Sequence, residues 1–223
     1  MLSIIYNYPL LIPITTKEDF IMENDLSDFI SLAKNGKIAW EKNPLKLIYL
    51  HSVDSTNNFA SNLSEVHPDQ KQNYLIMADS QFKGKGQKEN SWFSPPEVGL
   101  YFSLLINPDI PARDILTIPE TWGEMVKKTI ESIPGISAEI KKPNDVLISG
   151  KKVAGILLES KIQGEICRTI IAGVGINVNT PYHQFPPELK PLATSIQIET
   201  NRIFSRSEFM IRFFNLNKDF NIL

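Results

Sequence analysis

Residues 141–160 read KKPNDVLISGKKVAGILLES. A Pro-Asn-Asp turn leads into VLIS, and a tight connection at Gly150-Lys151 joins that short strand to the apolar run KVAGILLES. Two strands linked this closely form a hairpin, not a βαβ unit. Lys151 and Lys152 stand at the mouth of a run apolar enough to be buried, where an ammonium is costly unless it finds a partner. Alternation at period two puts Lys152 with Ala154 and Ile156 on one face, and Lys151 with Val153 and Gly155 on the other. One lysine therefore points inward. It either snorkels along apolar surface or meets an anion, a carboxylate or a phosphate or both, that offsets its desolvation.

Outward from the hairpin, strands cluster with few helices between them. LKLIYLHSV (45–53), YLIMADSQ (74–81), GLYFSLLI (99–106), ISAEIKK and RTIIAGVGINVN (168–179) read as further strands. A helix starts at Asp54 or Ser55 and runs through TNNFASNLSEV. In ETWGEMVKKTIESI, Trp122, Val126, Ile130 and Ile133 recur at helical spacing, with Pro119 before them and Gly135 after. A proline-rich loop (181–191) precedes TSIQI, and SRSEFMIRFFNLNKDF is a closing amphipathic helix. The pattern predicts an α+β fold: a mixed, largely antiparallel sheet backed by helices. Residues 1–40 form a preface with one short helix, DLSDFISLAKNGK, carrying Phe29, Leu32 and Ala33 on one face and Gly36 near its end. Residues 41–223 form the main domain.

The chain has 223 residues, 42% hydrophobic and 22% charged, enough for one substantial core. Its net charge of −2 argues against general nucleic-acid or membrane-surface binding, which favours a basic excess. A single cysteine, Cys167, excludes an internal disulfide and fits a reducing compartment; in EICRTIIAGVG it reads as a small apolar filler. The apolar N-terminus lacks a basic leader, and Pro9 and Pro13 interrupt it, so a cytoplasmic location is expected, without a membrane span.

The loop GKGQKEN (84–90) matches neither common phosphate-binding pattern. A dinucleotide fingerprint needs glycine where Glu89 stands, and the Gly-Lys-Ser/Thr ending of a phosphate-cradling loop is absent from the chain. Gly84 and Gly86 still allow close approach of backbone to a ligand, and Lys83, Lys85 and Lys88 bring positive charge. The loop either folds over an anion or is a solvated hairpin. DSTNN (54–58) is either a helix N-cap or a set of donors and acceptors for a small polar head group. His51, His67 and His183 have no metal-ligand spacing.

In order, these stretches resemble the catalytic domain of the biotin protein ligase (biotin–[acetyl-CoA-carboxylase] ligase) family. Ser55-Thr56-Asn57 matches its Ser-Thr-Asn helix start. Gln81 and GKGQKENSW match a glutamine and the loop Gly-Arg-Gly-Arg-Arg-Gly-Arg-x-Trp. KKPND, KVAGILLE and GVGIN (173–177) match the motifs that follow. The similarity spans about residues 45–200 and implies a fold like that of class II aminoacyl-tRNA synthetases. It also implies joining of biotin to ATP as biotinyl-5′-AMP, then transfer to a lysine of a biotin carboxyl carrier domain of a carboxylase. Mg²⁺ is expected with ATP, its ligands unassigned, and a homodimer is left open.

Carried over by position, Lys152 and Lys85 are the implied catalytic cations. Lys152 would lie beside both the biotin carboxylate and the α-phosphate. Ser55, Thr56, Asn57 and Gln81 are implied around the ureido head group. Gly84, Lys85, Gly86 and Gln87 correspond to the loop closing over biotin and the adenylate, and Gly155 to a close-approach position. Trp92 resembles the aromatic near adenine, with a core tryptophan as the other reading. Asn177 resembles the amide reading adenine, and Asn144 and Asp145 the nucleotide side, where they also serve as turn residues.

The loop departs from the family at Lys85, Gln87 and Glu89, and a lysine lacks the bidentate fork of arginine. Weaker retention of the adenylate is expected. Lys142 replaces the usual tryptophan before Pro143, and an SH3-like domain that follows in the family is expected to be absent after FNIL. Three other readings stay open: a non-catalytic or degenerate biotin-binding module, a lipoate–protein ligase, and an operon repressor. The lipoate reading is disfavoured because an Arg-Arg-x-x-Gly-Gly-Gly stretch is missing. The repressor reading is disfavoured because the preface has no room for a DNA-reading helix-turn-helix.

Overall fold

The computed structural model describes residues 25–37, 39–40, 43–66 and 72–218. The expectations for the N-terminus around Pro9 and Pro13, and for the chain after FNIL, lie outside them.

The elements run α1 (Ser27–Lys34), β1 (Ala39–Trp40), β2 (Asn43–Val53), α2 (Thr56–Val66), β3 (Asn73–Gln81), β4 (Gly99–Ile106) and β5 (Ile110–Pro111). A 3₁₀ turn over Ala112–Thr117 leads to α3 (Ile118–Glu131), β6 (Glu139–Lys141), β7 (Asp145–Ile148), β8 (Lys151–Gln163) and β9 (Ile166–Asn177). A 3₁₀ turn (Tyr182–Gln184), α4 (Ile196–Thr200) and α5 (Arg206–Leu216) follow. The sheet order is β1-β2-β3-β4-β9-β8-β7-β6, with β5 beside β9. Among the described strands only β2 and β3 pair in parallel, joined by α2 as the crossover; the other strand pairs are antiparallel. The expected α+β class holds. β1 and β5, two residues each, are too short to carry a readable period. α4 in TSIQI is capped by Ser195, whose Oγ accepts from the Ile198 amide at 3.2 Å.

Alternation along the central strands assigns the faces. Leu75, Met77, Phe102 and Leu104 point into the larger core beneath α1, α3 and α5, while Tyr74, Ile76, Leu105 and Ile171 point to Ala60 of α2. All eight residues of β4 are buried because both faces are covered, which explains its nearly unbroken apolar run. Phe213 of α5 joins the helical layer: its ring lies 5.6 Å from Phe102, 6.2 Å from Trp122 and 5.4 Å from Phe214. Burying a ring of this size stabilises by roughly 1.5–3 kcal/mol.

Arg206, the first residue of α5, is 2% exposed. Its Nε donates to Asp25 Oδ1 at 2.7 Å, and its Nη1 donates to Asp79 Oδ1 at 2.8 Å and to the Gly99 carbonyl at 3.2 Å. Two carboxylates offset the desolvation of one guanidinium and pin α5 and the start of α1 to β3. A polar first turn in the sequence gave no sign of this burial.

Two local features differ from the alternation read in the sequence. The β7–β8 connection is Ser149-Gly150, one residue earlier than expected, with φ of 52° and 73° and Ile148 opposite Lys151. Positive φ at both positions suits a right-twisted two-residue hairpin. The register then shifts: Leu147 pairs with Lys152 and Val146 with Ala154, leaving Val153 as the extra residue of a bulge. Val153 and Ala154 both enter the larger core. The bulge therefore moves Lys152 off the face of Ala154 and Ile156 and onto that of Gly155.

Cys167 is fully buried, and burial pushes its thiol pKa up, as suits an apolar filler. Among the described residues, no helix is long and apolar enough to cross a membrane.

Candidate functional site

A narrow cleft of about 40 Å³ opens on the α2 face of the sheet, where β2 hands over to α2 and β3 ends at Gln81. Its floor is bare backbone. Gly155 pairs with Gly175, and Leu157 with Gly173. A Cβ at Gly173 would stand 2.1 Å from Asn57 Oδ1, and one at Gly175 would stand 2.4 Å from Trp92 Nε1. At Gly155 it would meet Lys152 Cε at 2.9 Å and Trp92 Cζ3 at 3.0 Å. Asn57, Trp92 and Lys152 thus lie flat on the sheet because three positions lack side chains.

Lys152 finds its partner in Asp145: Nζ lies 2.6 Å from Oδ1, with the lysine side chain one-third exposed. The same ammonium sits 5.1 Å from the centre of the Trp92 ring, within cation–π range. The main chain of Lys152 is fixed as well. Its N–H donates to the Leu192 carbonyl at 2.8 Å, and the Thr194 N–H donates to its carbonyl at 2.9 Å. Asn177 Nδ2 donates to the Thr194 carbonyl at 2.9 Å, and Thr194 Oγ1 donates to Glu199 Oε1 at 2.6 Å. Residues 192–194 therefore form a strap that holds the cation's backbone.

The helix start brings Ser55, Thr56 and Asn57 to the cleft wall. Gln81 Oε1 accepts from the Thr56 amide at 2.8 Å, satisfying a donor that the helix cannot pair internally. Gln81 Nε2 donates to Ser94 Oγ at 2.8 Å. Ser103, wholly buried on β4, places its Oγ 2.6 Å from Asn57 Oδ1, to which it donates, and 2.8 Å from Thr56 Oγ1. Asn57 Nδ2 donates to Glu159 Oε2 at 2.8 Å and to the Leu157 carbonyl at 3.3 Å. With both amide protons engaged, Asn57 shapes the wall and keeps only acceptor capacity for a ligand.

The loop over residues 82–92 is a hydrogen-bonded hairpin, and part of it lines the cleft. The Trp92 amide donates to the Gly84 carbonyl at 2.8 Å and the Gly86 amide to the Asn90 carbonyl at 2.7 Å. Lys85, Gly86 and Gln87 line the cleft from its exposed rim, whereas Lys83 and Lys88 lie outside it. Lys85 Nζ donates to Glu159 Oε1 at 3.3 Å. Lys142 turns outward to Glu120 at 2.8 Å, and that carboxylate raises its pKa above the usual lysine value.

Of the residues singled out from sequence, Ser55, Thr56, Asn57, Gln81, Lys85, Gly86, Gln87, Trp92, Asn144, Lys152 and Gly155 come together around the cleft. Gly84 stands behind it, where a Cβ would meet the Trp92 carbonyl at 2.5 Å. Asp145 reaches it through Lys152, and Asn177 is held beneath the strap. Asn144 Nδ2 also donates to the Ile156 carbonyl at 2.6 Å, tying the turn before β7 to β8. Sequence reasoning missed Ser103 and Glu159. A lone serine within GLYFSLLI was the available signal for the first. Glu159 stands in the sequence only as the end of the KVAGILLE motif. Among the described residues no group of three metal-ligating side chains occurs.

The model of the biotin/lipoate A/B protein ligase family matches residues 49–177. The bifunctional ligase/repressor BirA of Bacillus spizizenii is 38% identical over 150 residues, covering 67% of this chain and 46% of that protein, so the chain spans about half the length of this curated relative. The biotin–[acetyl-CoA-carboxylase] ligase of Paracoccus denitrificans is 31% identical over 166 residues, covering 72% of this chain and 67% of that protein. The biotin protein ligase of Aquifex aeolicus in complex with biotin and ATP superposes with a TM-score of 0.61 at 32% identity, covering 81% of this chain and 74% of that one. The family match extends from β2 through the end of β9 and so takes in the cleft floor, the glycine loop and Lys152; the chain belongs to the biotin/lipoate A/B protein ligase family.

Proposed function

We propose that this chain is an ATP-dependent biotin protein ligase. Biotin's carboxylate attacks the α-phosphorus of Mg·ATP, the bond to the bridging oxygen breaks, and pyrophosphate leaves. The ε-amine of a lysine on a biotin carboxyl carrier domain then attacks the acyl carbon of biotinyl-5′-AMP, giving an amide and releasing AMP. Lys152 carries this reading: its ammonium sits on a glycine-lined floor beside the cleft, its backbone held by residues 192–194. Two anions must approach each other in the first step. A fixed positive charge there lowers their repulsion and stabilises the charge that develops, and holding both in one cleft adds the benefit of positioning.

Ser55, Thr56 and Gln81 would border the ureido ring, Trp92 and Asn144 the adenylate, and Lys85 the phosphate from the loop. Asp145 would keep Lys152 oriented until an anion shares it. Asn177 supports the strap and would lie on the adenine side of the cleft. Mg²⁺ would arrive with ATP as part of the substrate.

The test is mass spectrometry of a carrier fragment incubated with the protein, biotin and Mg·ATP, alongside pyrophosphate release without carrier. Biotinylated carrier supports the proposal. Biotin binding with no pyrophosphate above background would mark a degenerate binding module, and lipoylation in place of biotinylation would mark a lipoate ligase.

A further inference from the structure

Lys85 of the glycine loop and Asn57 of α2 donate to the two oxygens of one carboxylate, that of Glu159 on β8, at 3.3 Å and 2.8 Å. Asn57 is 3% exposed, and its Oδ1 is itself held by buried Ser103. One Glu159 oxygen is therefore anchored from inside the fold, and the other faces the loop. Ordinary surface pairs have two flexible ends; this one has a single flexible end, so less order is lost when Lys85 docks.

We propose that Glu159 is a positioning residue that latches the glycine loop over the cleft and so gates access to it. With Lys85 on Glu159, the loop that bears Gly86 and Gln87 stays against the cleft wall. With Lys85 released, the backbone bonds within the loop and the Trp92 contact with Lys152 remain, but the ion pair that ties the loop's tip to β8 is gone. Any anion entering the cleft near Lys85 competes with the Glu159 carboxylate for that ammonium, so ligand arrival and latch release are coupled. That the gated ligand is biotin rests on the function proposed above; the latch itself does not.

Glu159→Gln separates the two contacts. The glutamine keeps an oxygen that can accept from Asn57, whereas its neutral amide cannot hold the Lys85 charge. Hydrogen–deuterium exchange of residues 84–91 in the free protein should rise about threefold in Glu159→Gln, the scale of a partly exposed charge pair. Lys85→Met should give the same increase, and the double variant no further one, because both remove a single interaction. Biotin association, followed by stopped-flow fluorescence, should quicken by a similar factor.

Unchanged loop exchange in Glu159→Gln, or fully additive effects in the double variant, would overturn the latch. Raised exchange throughout the protein would overturn it too, by assigning Glu159 a general structural role. Faster loop exchange with unaltered biotin association would overturn the gate. A wild-type protein that fails to bind biotin at all would defeat the proposed function, while the exchange comparison would still decide the latch.

Discussion

Lys152 Nζ lies 2.6 Å from Asp145 Oδ1 across the β7–β8 hairpin, and the bulge at Val153 is what turns the lysine toward the cleft. The lysine at the mouth of a buried strand is thus partnered within the chain, by a carboxylate from the Pro-Asn-Asp turn that begins the same hairpin. A bound anion would share this ammonium, so the charge is stored in place at little cost in reorganisation.

Lys152→Ala should lower biotinyl-adenylate formation by about 10²–10³, the scale for losing one donor aimed at developing charge. The pair with Asp145 is partly exposed, so stability should fall by less than about 1 kcal/mol. Pyrophosphate release and a urea melt on one preparation separate these effects, and near-normal turnover would refute the assigned role.

Alanine at the three floor glycines should rank by what the new Cβ meets. Gly173→Ala pushes against Asn57 Oδ1, which is locked by Ser103, and Gly175→Ala against the Trp92 indole. Each should destabilise by about 1–3 kcal/mol. Gly155→Ala chiefly meets the flexible end of Lys152 and should cost less. Chemical denaturation of the three variants checks the order.

Arg206→Met should cost about 3–5 kcal/mol, because Asp79 would remain buried without its cation. A change under 1 kcal/mol in urea unfolding would mean that water replaces the guanidinium freely.

Burial pushes the Tyr101 phenol above its usual value near 10, outweighing the nearby Arg206, which pulls it down, while Asp79 adds to the rise. Above that pH the unfolded chain releases the proton and the folded chain retains it. Stability should therefore be intact below about pH 10 and fall as pH rises past it. Tyr101→Phe gives up the hydrogen bond to the Pro95 carbonyl and should flatten this alkaline slope. Equal slopes for the two proteins between about pH 9 and about pH 11 would exclude the buried phenol as the cause.

Arginine at Lys85 or Gln87 should slow escape of biotinyl-5′-AMP, because a guanidinium grips phosphate with two donors where lysine supplies a point charge. A rapid-dilution assay of adenylate release tests this, and an unaltered rate would count against the loop as a lid.

Much of this was legible in the chain. The longer strands, α1, α2, α3 and α5 followed from period and punctuation, and the order of the motifs identified the family. Ser55 through Asn57, Gln81, the glycine loop and Lys152 were each marked by residue types that approach or hold a polar ligand. Tertiary structure decided which way Lys152 points, because alternation along one strand cannot register an extra residue set by pairing with its neighbour. It also decided that Asn177 supports a strap, that Ser103 and Glu159 join the helix start to the loop, and that Arg206 is buried. Each of these depends on partners far away in sequence. Local pattern records a residue's own chemistry and its near neighbours, whereas a hydrogen bond between β8 and α2 exists only once the sheet has brought them together.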